Sequence, residues 1–167
     1  ITREIKPNNR GTIIHTILEN FYRNHLNTSE NLEEVINNLA NDAFEQHANL
    51  ISQSSPILHP FQKKAIKQVA LEAIKMEFNE RKNLPEPLSP FICEWIFGAG
   101  DKAPLTIPID GGKPANIQGR VDRIDVNENK SRFIVVDYKT GGKVESIAKN
   151  ISEGKHLQLP IYVEAVR

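Results

Sequence analysis

Apolar residues recur at helical spacing over the first half of the chain. Ile13, Ile14, Ile17, Leu18, Phe21 and Tyr22 form one stripe, which predicts a helix from about Gly11 to Asn24. The segment before it, with Pro7, Asn8 and Asn9, reads as loop. After an Asn27-Thr28-Ser29 cap, Leu32, Val35, Ile36, Leu39, Ala43 and Phe44 describe a second amphipathic helix. Ser52 to Pro56 breaks the period. Pro60 then opens a third helix to about Lys82, with Phe61, Ala65, Val69, Ile74 and Phe78 among its apolar positions. Leu84-Pro85-Glu86-Pro87 is a stiff connector out of this helical part.

From Phe91 the period becomes that of strands. Phe91 to Phe97 is apolar apart from Glu94, which is either a strand-edge glutamate paired with an arginine or a further acceptor at a site. Leu105 to Asp110 is a poorer strand, because Pro108 cannot donate to a ladder, and Gly111-Gly112 turns the chain back. Val121, Ile124 and Val126 are apolar among Arg120, Asp122, Arg123 and Asp125, which suits a half-buried strand. Phe133 to Val136 is a continuous apolar run, as expected of a strand covered on both faces. Asn127-Glu128-Asn129-Lys130 supplies the turn between these two arms. Leu157 to Val166 reads as a closing helix with Gln158 and Tyr162 four apart on one face.

The hairpin carries the chemistry. Asp137 and Lys139 are two apart on a strand and share a face, while Tyr138 points the other way. An aspartate ending so apolar a strand is costly unless a cation or hydrogen-bond donors compensate it. Asp122, on the first arm, can meet Asp137 across the hairpin. Two carboxylates that close repel, and a metal ion usually holds such a pair. A lysine beside the ion can orient or deprotonate a water. A bare D-x-K is a short signal that otherwise only marks a strand end. His15, at the edge of the first apolar stripe, is by spacing alone a core or surface histidine.

Four blocks, in order, resemble the RecB-type nuclease domain of the PD-(D/E)XK superfamily. They are Arg10-Gly11-Thr12-Ile13-Ile14-His15 with Leu18-Glu19, Gly119-Arg120-Val121-Asp122-Arg123-Ile124-Asp125, Val136-Asp137-Tyr138-Lys139-Thr140-Gly141, and Gln158-Leu159-Pro160-Ile161-Tyr162. Together they span nearly the whole chain. The resemblance implies an α/β restriction-endonuclease-like core, a central mixed sheet flanked by helices, with an added helical part. It further implies that His15, Asp122, Asp137 and the Tyr138 carbonyl bind Mg²⁺ or Mn²⁺, with Asp122, Asp137 and Lys139 catalytic. Gln158 and Tyr162 would then touch DNA. The implied activity is metal-dependent hydrolysis of DNA, as an exonuclease in repair or recombination, with a helicase domain or subunit of the parent protein as partner. The alternative is a DNA-binding or structural module that no longer cuts, and a third reading is action on another phosphodiester.

Composition narrows the picture further. The chain has 167 residues and one cysteine, Cys93, so no internal disulfide is possible and a cytoplasmic origin is the default expectation. Members of the resembled family that hold an iron-sulfur cluster place its cysteines where Cys93 does not fall, so no cluster is expected within this stretch. The sequence reads as a single nuclease domain cut from a longer protein, mainly helical over 1–84, with sheet, catalytic hairpin and last helix over 89–167. No membrane segment is expected. Twenty-one basic and twenty-one acidic residues cancel, which excludes a bulk basic footprint for nucleic acid. Residues 113–149 nevertheless carry eight basic against five acidic residues. A DNA surface is therefore expected near the hairpin, from Arg120, Arg123, Lys143, Lys149 and Lys155.

Overall fold

The structure, a computed structural model, describes residues 4–26, 31–139 and 147–167, the stretch 147–149 by its backbone alone. The chain forms two compact units: Ile1–Pro87 with Tyr138–Gly141, and Leu88–Asp137 with Gly142–Arg167.

The first unit is helical. Helix α1 (Pro7–Asn24) packs with α2 (Leu32–Gln46) and α4 (His59–Arg81), and the short α3 (Ala48–Ile51) and a 3₁₀ turn at Pro56–Leu58 join α2 to α4. The α1 stripe is buried as its spacing requires, with Ile13, Ile17 and Phe21 fully inaccessible. This helix begins before Gly11, however. Pro7 sits in its first turn, where a missing N–H costs no hydrogen bond and a fixed φ favours the helix, so the expected loop is helix. On α4 the buried face is Ile66, Ala70, Leu71 and Ile74, whereas Phe61 is 70% exposed and Val69 40%. The apolar positions expected at Phe61, Ala65 and Val69 thus lie off the packed face. The expected Asn27-Thr28-Ser29 cap lies outside the described residues.

In the second unit a three-stranded antiparallel sheet has the order β1 (Ser89–Phe97), β4 (Gly119–Val126), β5 (Phe133–Val136). A separate pair, β2 (Leu105–Ile107) and β3 (Ala115–Ile117), forms a small ribbon, and Pro108 follows β2 directly. Helices α5 (Ile147–Ser152) and α6 (Gln158–Val166) close the chain. The core centres on Phe97, Val121 and Ile124, against which Trp95, Phe133, Val135, Ile161 and Tyr162 pack. The β4–β5 turn is held by Lys130 N–H to Asn127 O and by Arg132 N–H to the Asn127 side chain, with Lys130 in the left-handed region at φ 57°.

Two strand expectations need correction. Among the described residues β5 is an edge strand, its Ile134 38% exposed, so the strand leading to Asp137 is not covered on both faces. The strand that is nearly continuously buried is β4, in the middle, despite its four charges. The α/β class itself holds, and all described strand pairings are antiparallel.

Candidate functional site

Register in the second unit brings two carboxylates opposite one another. Cys93 pairs with Arg123 and Trp95 with Val121, which sets Glu94 opposite Asp122 across β1 and β4. Arg123 pairs with Val136, the last residue of β5, and Asp137 follows it beyond the ladder. Opposed residues of antiparallel strands share a face. Glu94 and the buried Asp122 therefore face one another, and Asp137 stands just past the end of the adjoining strand. Carboxylate oxygens of Glu94 and Asp122 lie within 4.8 Å of one another.

Glu94 and Asp137 are held differently. Arg120, on the same face of β4 two residues before Asp122, pairs with Glu94 at 2.9 Å. The backbone at Glu94 is left-handed, φ 54°, a conformation that costs a non-glycine residue about 1 kcal/mol or more and persists where the surroundings impose it. Asp137, one residue beyond β5 and half-buried, accepts a hydrogen bond from Gln158 Nε2 at 2.9 Å. The same nitrogen donates to the Tyr162 hydroxyl at 3.0 Å. Lys139 is exposed.

In the first unit His15 and Tyr138 come together. His15 Nε2 lies 3.0 Å from the Tyr138 carbonyl oxygen, and the two rings meet edge to face. Tyr22, seven residues after His15 and so on the same side of α1, stacks on the Tyr138 ring at 6.4 Å. Its hydroxyl donates to Glu77, which also pairs with Arg81. Helix α1 thus holds both the ring and the carbonyl of the residue that follows Asp137.

These donors suit a hard divalent cation. Carboxylates and a carbonyl are the oxygen ligands such ions prefer, and an opposed carboxylate pair is favoured by positive charge between its members.

Other expected residues fare unequally. Arg123 is not available to a phosphate: it is 1% exposed and gives Asp125 two hydrogen bonds, Nε to Oδ1 at 2.8 Å and Nη2 to Oδ2 at 3.0 Å. Arg120 is exposed apart from its pair with Glu94, and Lys155 pairs with Glu153 at 2.6 Å on the surface. Lys143 and the Lys149 side chain lie outside the described residues. Glu94 is an arginine's partner, one of the two roles its sequence allows, but its position beside Asp122 emerges only from the β1–β4 register. A lone carboxylate in an apolar strand is the one signal the sequence offers for it.

An opposed pair of carboxylates on an antiparallel sheet, with a third just past the neighbouring strand, makes an acidic site in the second unit. The chain belongs to the PD-(D/E)XK nuclease superfamily, whose sequence profile matches residues 1–167. It is similar to bacterial proteins named as one subunit of an ATP-dependent helicase/deoxyribonuclease: 28% identical to that of Clostridium tetani and 31% to that of Clostridium kluyveri, over 93% of this chain in each case. The corresponding protein of Alkaliphilus oremlandii is 35% identical over 46% of the chain. The chain spans 14% of the length of the two clostridial relatives. No described helix is long and apolar enough to cross a membrane.

Proposed function

We propose that this chain is a metal-dependent deoxyribonuclease unit of a larger helicase–nuclease, hydrolysing phosphodiester bonds of DNA as an exonuclease. The observation that carries this reading is the close pair Glu94 and Asp122, in a chain of this superfamily whose Asp137-Tyr138-Lys139 follows the adjoining strand. The names of the relatives support DNA as substrate and a helicase partner.

His15, Asp122, Asp137 and the Tyr138 carbonyl would hold Mg²⁺ or Mn²⁺, with Glu94 as a further carboxylate. When bound, the ion supplies polarisation of the scissile phosphate and stabilises its developing negative charge. Lys139 would orient the attacking water, accepting its proton when the amine is neutral. The water oxygen bonds to phosphorus, the bridging P–O bond breaks, and the leaving oxygen takes up a proton. No covalent enzyme intermediate forms. Arg120 and Lys143 attract the phosphate backbone.

The test is cleavage of linear and covalently closed DNA, single- and double-stranded, with Mg²⁺, with Mn²⁺ and with EDTA. Linear DNA should be degraded only with metal, and closed circles spared. Cutting of circles would replace exonuclease with endonuclease action. Cleavage undiminished in EDTA would remove the metal. No cleavage of any substrate would leave a non-cleaving DNA-binding module.

A further inference from the structure

Asp137 stands one residue past the end of β5, beyond the last paired residue of the strand. Its carboxylate is met by Gln158, the first residue of α6. A carboxylate offers only lone pairs, so the amide turns its NH₂ toward Asp137 and cannot be flipped without losing that bond. The second N–H goes to Tyr162, one turn further along α6. Tyr162 in turn is seated edge to face on Phe97, with ring centroids 6.0 Å apart. A Cβ on Gly119 would come within 2.7 Å of Phe97 Cζ and 3.0 Å of Tyr162 Cε1, so both rings lie directly on the β4 backbone. The orientation of the Asp137 carboxylate is thereby tied, through Gln158 and Tyr162, to the middle strand of the sheet.

We propose that Gln158 is a positioning residue for Asp137 rather than a DNA contact, with Tyr162 fixing the Gln158 amide and Gly119 making room for Tyr162. This rests on the reading of Asp137 as a metal ligand. Partners that orient a ligand typically change metal affinity by about 10- to 100-fold when removed.

Three measurements test it. Gln158→Leu should weaken Mn²⁺ binding, followed by calorimetry or by Mn²⁺ electron paramagnetic resonance, roughly 10- to 100-fold. Its affinity for single-stranded DNA in EDTA, read by fluorescence anisotropy, should stay within about two-fold, as expected when no phosphate or base contact is lost. Tyr162→Phe keeps the Gln158 donors and should move Mn²⁺ affinity in the same direction by less. In the metal-free protein, the side-chain amide resonance of Gln158 in a ¹⁵N–¹H spectrum should shift on Asp137→Ala. An unshifted resonance overturns the proposal even if Gln158→Leu does not fold. So does a folded Gln158→Leu protein that binds Mn²⁺ like wild type and loses DNA affinity instead, which would make Gln158 a DNA contact. If wild type binds no Mn²⁺, the metal reading fails while the amide shift still decides whether Gln158 holds Asp137.

Discussion

Glu94 faces Asp122 across β1 and β4, and Arg120, two residues before Asp122, holds Glu94 at 2.9 Å. One cation already serves the pair, yet Arg120 is 61% exposed and its attraction is correspondingly screened. Further positive charge beside the buried Asp122 is therefore stabilising. Glu94→Gln keeps the shape and removes one negative charge. It should weaken Mn²⁺ binding by roughly 10- to 100-fold and slow cleavage in step at limiting metal. Calorimetric Mn²⁺ titration checks it, and wild-type affinity in the variant would reduce Glu94 to a partner for Arg120.

Lys139→Ala should abolish cleavage, with a loss on the order of 10²–10⁴-fold typical of a missing acid–base group, while Mn²⁺ affinity stays within a few-fold. On the proposed reading the lysine acts on water and is not a ligand, so the two readouts should separate. Cleavage within a few-fold of wild type would take Lys139 out of the mechanism.

Arg123 and Asp125 are 1% and 3% exposed and joined by two hydrogen bonds. Arg123→Met leaves a buried carboxylate without its main partner and should destabilise folding by about 3–5 kcal/mol. Replacing both, as Arg123→Met with Asp125→Leu, should recover most of that loss, because two apolar side chains leave no charge behind. Urea unfolding of the three proteins measures it. A single variant as stable as wild type would mean that Asp125 is satisfied by its other neighbours.

How much of this is legible in the sequence varies with the physics involved. The α1 stripe is plain because its apolar residues fall on one side only, and the β4–β5 hairpin is plain from its short polar turn. Helix α4 carries apolar residues all round, with Phe61, Val69 and Met76 exposed opposite Ile66, Ala70 and Ile74, so only its packing partners choose the buried face. Strand β3 is three residues long, too short for a period to show. Glu94 enters the acidic site through β1–β4 pairing, which joins residues nearly thirty apart and leaves no local trace. Arg123 looks like any other charge in a half-buried strand. Nothing local distinguishes it from Arg120, although one is inside and the other out.

That difference sets the last prediction, on DNA affinity. With no net charge, the chain must bind DNA through a local cluster, and Arg123 cannot belong to it. Arg120, Lys155 and the lysines of the segment after Lys139 remain, each able to release counterions on meeting a phosphate. The acidic site repels the backbone until an ion neutralises it. Asp137→Ala without metal should therefore bind DNA as well as wild type or better, and raising salt should weaken both with similar slopes. Arg120→Ala should lower the slope of log affinity against log salt by about one, roughly the value of one phosphate contact. The Arg123→Met, Asp125→Leu protein should keep the wild-type slope. Fluorescence anisotropy across a salt series decides between these outcomes. A reduced slope in the double variant would return Arg123 to the DNA surface, and no binding by wild type at low salt would place that surface in another part of the parent protein.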